Sequence, residues 1–122
     1  LTRSSAASDV YKRQQVNLEE NIKKSDLVIT GEGSFDKQSL FGKVPYKITS
    51  IASKYRIPTI IIAGKINIKK KDINLDGPYS VHCINPENIE LSEAIKKTND
   101  HIIKKLEIVL SKMKNSKNYF RC

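Results

Sequence analysis

The 122 residues suffice for one small domain with a modest core, and no apolar run reaches the roughly 20 residues that span a bilayer. The formal charge of +9 comes from 22 basic against 13 acidic residues, but most of the basic ones are scattered lysines and Lys69-Lys70-Lys71 is the one true run. That distribution favours a solvated lysine surface over a polyanion site.

The first residues, "LTRSSAASDVYKRQ", have no apolar h-region and no initiator Met, so they are not a signal peptide. Back-translated, "DVYKRQ" matches a transposon-end sequencing adapter, so residues 1–14 are set aside as translated adapter or a polar tail. On that reading the natural protein begins upstream and this chain is its C-terminal piece. Residues 15–114 form the α/β unit, and 115–122 a polar tail.

From Val16 to Lys24 the pattern is amphipathic, with Leu18 and Ile22 four apart, and reads as the last turns of a helix. Asp26 to Thr30 is an apolar strand expected to end at Gly31. A loop of 13 residues, Gly31 to Lys43, follows. Pro45 suits the first position of a helix that places Ile48, Ile51, Ala52 and Tyr55 on one face.

"PTIIIAG", starting at Pro58, is an unbroken β-branched run, as expected of a strand buried on both faces of a parallel sheet. Strand, helix and strand make a βαβ unit with a right-handed crossover. Lys65 to Pro78 reads as a polar excursion, and Tyr79 to Ile84 as a third strand. Ser92 is placed to cap one long helix with Leu91, Ala94, Ile95, Ile102, Leu106, Val109, Leu110 and Met113 on a single stripe. The predicted fold is a partial, truncated α/β sheet of Rossmann-like type with flanking helices. Its β-branched runs ask for more cover than this chain contains.

Ligands in open α/β sheets bind outside the carboxyl ends of the strands. The segment Gly31 to Lys43 lies at such an end, before a helix N-terminus that favours anions. It is also long for a βα connection, typically about 2–6 residues. Two phosphate motifs fail here. A dinucleotide fingerprint would need glycine where Asp36 stands, and a Walker loop would need Ser or Thr at Val44.

Glu32 and Asp36 repel a bare phosphate. They become useful either by holding Mg²⁺ on phosphate oxygens or by accepting a proton from a substrate hydroxyl. Lys43 suits charge neutralisation on a transferred phosphoryl group. Ser34, Gln38 and Ser39 suit hydrogen bonds to substrate or phosphate, and Gly31, Gly33 and Gly42 permit close backbone approach. These residues point to phosphoryl transfer. The alternative is a small basic α/β binding module, without catalysis, for nucleic acid or another anionic partner; acids in the anion pocket argue against it.

"DLVITGEGSFDKQSLFGKVP" followed by "IASKYRIPTIIIAG" resembles the C-terminal region of the bacterial glycerate kinases of type 1. Those proteins carry T-G-E-G-x-x-D-x-Q-[ST]-x-x-G-K after a strand, then a helix ending in K-Y, then P-x-I-x-x-A-G. Thr30, Gly31, Glu32, Gly33, Asp36, Gln38, Ser39, Gly42 and Lys43 fill the fixed loop positions, with Lys54-Tyr55, Pro58 and Ala63-Gly64 beyond them. "ELSEAI" before the last helix is similar as well.

The resemblance implies ATP-dependent phosphorylation of glycerate with Mg²⁺, in the cytoplasm, by a longer chain with a flavodoxin-like outer domain. It implies small-molecule partners, no nucleic acid and no membrane. Glu32, Asp36 and Lys43 become the catalytic candidates, with the two acids as candidate metal ligands. Ser34 stands where the family usually has Arg, which weakens one expected contact with the substrate carboxylate.

His82, His101 and Cys83 read as structural, and the two cysteines, Cys83 and Cys122, lack metal or redox spacing. A reduced intracellular protein is expected.

Overall fold

The computed structural model describes residues 17–40, 44–75 and 77–115. The adapter-like start and residues 116–122 of the polar tail lie outside the described residues.

A short helix α1 (17–23) leads into β1 (Val28–Asp36), a 3-10 turn (Lys37–Leu40) and α2 (Val44–Lys54). Then come β2 (Thr59–Asn67), a second 3-10 turn (Lys70–Asp72), β3 (Tyr79–Cys83), α3 (Leu91–Lys96) and α4 (Thr98–Asn115). The strands form one three-stranded sheet in the order β1-β2-β3, and both pairings are parallel. No helix among the described residues is long and apolar enough to cross a membrane.

β2 is the centre of the fold. Its first five residues, Thr59 to Ala63, are all buried, as the unbroken β-branched run requires. On one face Ile61 and Ala63 pack with Phe35, Ile66, Ile68, Ile73 and Val81. On the other, Ile60 and Ile62 pack with Val109, Ile102, Leu106 and Met113 of α4, together with Leu27 and Ile84. Each fully buried Ile contributes about 1.5–3 kcal/mol relative to exposure, so this single strand organises both halves of the core.

α2 returns the chain to β2 by a tight C-terminal turn. Arg56 sits at φ 56°, its N–H donates to the Ser53 carbonyl, and the Ile57 N–H donates to the Ala52 carbonyl. This is a Schellman cap with a non-glycine residue in the left-handed position. Pro58 then follows, where no helix continues.

Several expectations from sequence are corrected. Lys65 to Asn67, expected to open a polar excursion, continue β2, and Ile66, Ile68 and Ile73 pack on the core. β1 does not stop at Gly31. It continues to Asp36, pairing Gly31 with Ile62, Glu32 with Ala63, Ser34 with Lys65, Phe35 with Ile66 and Asp36 with Asn67. The longer β2 offers a ladder edge, and Phe35 is fully buried, which draws the segment onto the core. The C-terminal helix is two helices, broken at Lys97 with φ −100° and ψ 11°. Its N-cap is Glu90 rather than Ser92, and it makes no side-chain capping bond. The break disrupts the apolar stripe, so Leu91 and Ile95 are exposed while Ala94 is buried.

His82 on β3 is partly buried, with Nε2 2.9 Å from Ser80 Oγ. Burial, then the charges of Lys105 and Lys112 on α4, hold its pKa below the usual 6.5. The folded chain therefore keeps His82 neutral where the unfolded chain begins to take up a proton. Its contribution to stability is complete above about pH 6.5 and is lost as pH falls toward the folded value. Urea midpoints should drop between pH 7.5 and 5.5, and His82→Gln should flatten that slope. An unchanged slope in the variant would assign the acid sensitivity elsewhere.

Candidate functional site

The distal half of β1 lies at the carboxyl end of the sheet, beyond the last residue of β3. Its first feature is a crossing of two glycines. A Cβ on Gly64 would lie 2.8 Å from the Gly33 carbonyl oxygen and 3.3 Å from Asn85 Nδ2. Contacts under 3.0 Å to backbone are not tolerated without movement, so the absence of a side chain at position 64 permits β1 to run so close. Gly33 itself has open space on its side-chain face.

The second feature closes the strand. The Ser39 N–H donates to Asp36 Oδ1 at 3.2 Å, and the Asp36 N–H donates to Ser39 Oγ at 3.1 Å. This reciprocal pair has the logic of a capping box, with Asp36 preceding the 3-10 turn. The Ser39 hydroxyl has one hydrogen, and its shorter contact is the Ser34 carbonyl at 3.2 Å rather than Asp36 Oδ1 at 3.4 Å. Ser39 is fully buried. It therefore staples the turn instead of offering its hydroxyl to a ligand.

Among the described residues, Lys37, Gln38, Gly31 and Gly33 are exposed, while Glu32, Ser34 and Asp36 are half-buried. Gly42 and Lys43 lie outside the described residues.

The strand does not bring Glu32 and Asp36 together. Four residues of extended chain separate their Cα atoms by about 13 Å, and Asp36 Oδ1 is already engaged by Ser39. An ion with ligands at about 2.0–2.1 Å, as Mg²⁺ requires, is not bridged by that pair. No group of three His, Cys, Asp or Glu among the described residues could hold a metal ion.

Lys54 and Tyr55, a motif pair of which Tyr55 was also expected on the helix's packed face, tie α1 to α2. The Tyr55 hydroxyl donates to Glu19 Oε1 at 2.5 Å, and Lys54 Nζ lies 3.4 Å from the same oxygen. The Tyr55 hydrogen bond, then Lys54, lower the Glu19 pKa.

Sequence reasoning also passed over a polar cluster at the ends of β2 and β3. Asn85 Nδ2 donates to the Gly64 carbonyl at 3.0 Å, and His101 Nδ1 lies 2.8 Å from Asn85 Oδ1. The Cys83 thiol lies 3.4 Å from the same Gly64 oxygen. The signal for it was weak, because His101 sits sixteen residues from Asn85 and no motif links them.

A sequence model described as "Glycerate kinase family" matches residues 7–114. The chain is 39% identical over 87 residues to a glycerate 2-kinase of Escherichia coli K12, covering 71% of this chain and 23% of that protein. It is 34% identical over 83 residues to a glycerate kinase of Halalkalibacterium halodurans, covering 68% of this chain and 22% of that protein. It is also 29% identical over 107 residues to a glycerate kinase of Bacillus subtilis, covering 88% of this chain and 28% of that protein. The chain thus spans about a quarter of the length of these curated relatives.

Gly64→Ala should destabilise the chain by about 1–3 kcal/mol, the usual cost of forced overpacking. Gly31→Ala, whose new methyl would meet Ile62 Cγ1 at 3.4 Å, should cost less than Gly64→Ala. Urea unfolding of the two variants measures the difference, and equal losses would contradict a special close approach at Gly64.

Proposed function

The chain belongs to the glycerate kinase family, and we propose that the complete protein transfers the γ-phosphoryl group of ATP to a hydroxyl of glycerate, giving a phosphoglycerate. The observation that carries the residue assignment is the pinned carboxylate of Asp36 at the carboxyl end of β1. A base that is already oriented loses little freedom when the reaction begins.

In this reading the glycerate hydroxyl oxygen attacks the γ-phosphorus, and the bond from that phosphorus to the bridging oxygen of ADP breaks. Asp36 takes the hydroxyl proton. Lys43 neutralises charge on the transferred group. Exposed Gln38 and half-buried Ser34 hydrogen-bond substrate or phosphate oxygens, and the exposed backbone at Gly31 and Gly33 admits close approach. Gly42, which precedes Lys43 in the sequence, is assigned the same role. Ser39 acts on the site by fixing Asp36. Glu32 alone is the carboxylate we assign to a magnesium ion held on the phosphate oxygens, whose charge would offset theirs.

The remaining length of the protein supplies the other wall of the cleft. Supporting this, β1 is an edge strand whose Ile29 is 45% exposed, and Leu91 is 76% exposed. We therefore assign these 122 residues no kinase activity alone. In the same reading the partners are the small molecules ATP and glycerate and the reaction is cytoplasmic.

In the complete protein, Asp36→Asn should lower kcat by about 10²-fold or more, within the usual range for a lost general base. Coupled-assay turnover with glycerate and ATP measures it. Near-normal turnover would remove Asp36 from the chemistry.

A further inference from the structure

We propose that Asn85 and His101 form a positioning pair that holds the Gly64 carbonyl, and through the Gly33–Gly64 crossing holds the glycine-acid half of β1 in register. The inference deepens the functional reading above, because that half of β1 carries Glu32 and Asp36.

The hydrogen-bond directions are forced. A carbonyl oxygen only accepts, so the Asn85 group facing Gly64 must be the amide nitrogen. That leaves Asn85 Oδ1, an acceptor, facing His101 Nδ1 at 2.8 Å. His101 must therefore carry its proton on Nδ1, and in the neutral ring Nε2 is an acceptor.

The chain of contacts then runs from α4 to the site. His101 lies in the first turn of α4 and fixes the Asn85 amide. Asn85 donates to the Gly64 carbonyl, and the Gly33 carbonyl lies against the same glycine. The Cys83 thiol adds a weaker donor to the same carbonyl. Both Glu32 and Cys83 pair with Ala63, the residue before Gly64. The Asn85 amide and the Gly33 carbonyl both border the space a Gly64 side chain would fill, at 3.3 and 2.8 Å from its Cβ position. The β1 ladder omits the Gly33–Gly64 step itself, resuming at Ser34 and Lys65. A side-chain brace at this position has a clear purpose, because the backbone pairing lapses there.

The test is ring and backbone ¹⁵N NMR of the full 122-residue chain. At a pH where the ring is neutral, wild-type His101 should carry its proton on Nδ1, the minor tautomer of free imidazole. Asn85→Ala should shift His101 toward the Nε2-protonated form and move the amide resonances of Gly33 and Glu32. His101→Asn keeps a donor toward Asn85 and should leave those two amides near their wild-type positions, whereas His101→Ala should displace them. A neutral wild-type ring with its proton on Nε2 and none on Nδ1 would overturn the proposal. So would unmoved Gly33 and Glu32 amides in Asn85→Ala or, should that variant not fold, in His101→Ala. None of these readouts needs turnover, so their failure is separate from failure of the kinase reading.

Discussion

At the carboxyl end of the sheet two backbones meet with no side chain between them. Gly64 presents its bare Cα to the Gly33 carbonyl, where even a methyl group would sit 2.8 Å away. This contact allows β1 to stay beside β2 past the end of β3. Glu32, Ser34 and Asp36 consequently sit on a paired strand, which is stiffer than a free loop. Phe35, buried in the cluster around Ile61 and Ala63, anchors the same segment from its other side.

That placement separates the two acids. In a compact loop they would be free to converge. On a strand they are held apart. Asp36 terminates the strand and exchanges hydrogen bonds with a fully buried Ser39. Such a carboxylate has little freedom to swing, so its placement relative to the sheet is set before any ligand arrives. Under the proposed kinase function an oriented carboxylate here suits transfer to a hydroxyl.

The sheet was largely legible in the sequence. The Pro58 run announced a strand buried on both faces, and Thr59 to Ala63 are all buried. The helical spacing of Ile102, Leu106, Val109 and Met113 announced the face that covers it. Residues 31–36 misled because glycines and acids are punctuation in a local reading, whereas their pairing depends on a partner strand some thirty residues away. The break at Lys97 was hidden because Leu91 and Ile95 continue the apolar spacing while lying exposed. At the candidate site, the motif marked Asp36 and Ser39 but gave no sign that they bond to each other. The Asn85 and His101 pair left only a weak signal, since it joins residues sixteen apart with no motif between them.

The placement of both acids depends on the glycine-acid segment being a strand, and cross-strand nuclear Overhauser contacts test that most directly. Backbone protons of Ser34, Phe35 and Asp36 should show contacts to Lys65, Ile66 and Asn67 in the parallel register. Only sequential contacts across residues 31–36, with amide exchange at the rate of an open chain, would contradict a strand there.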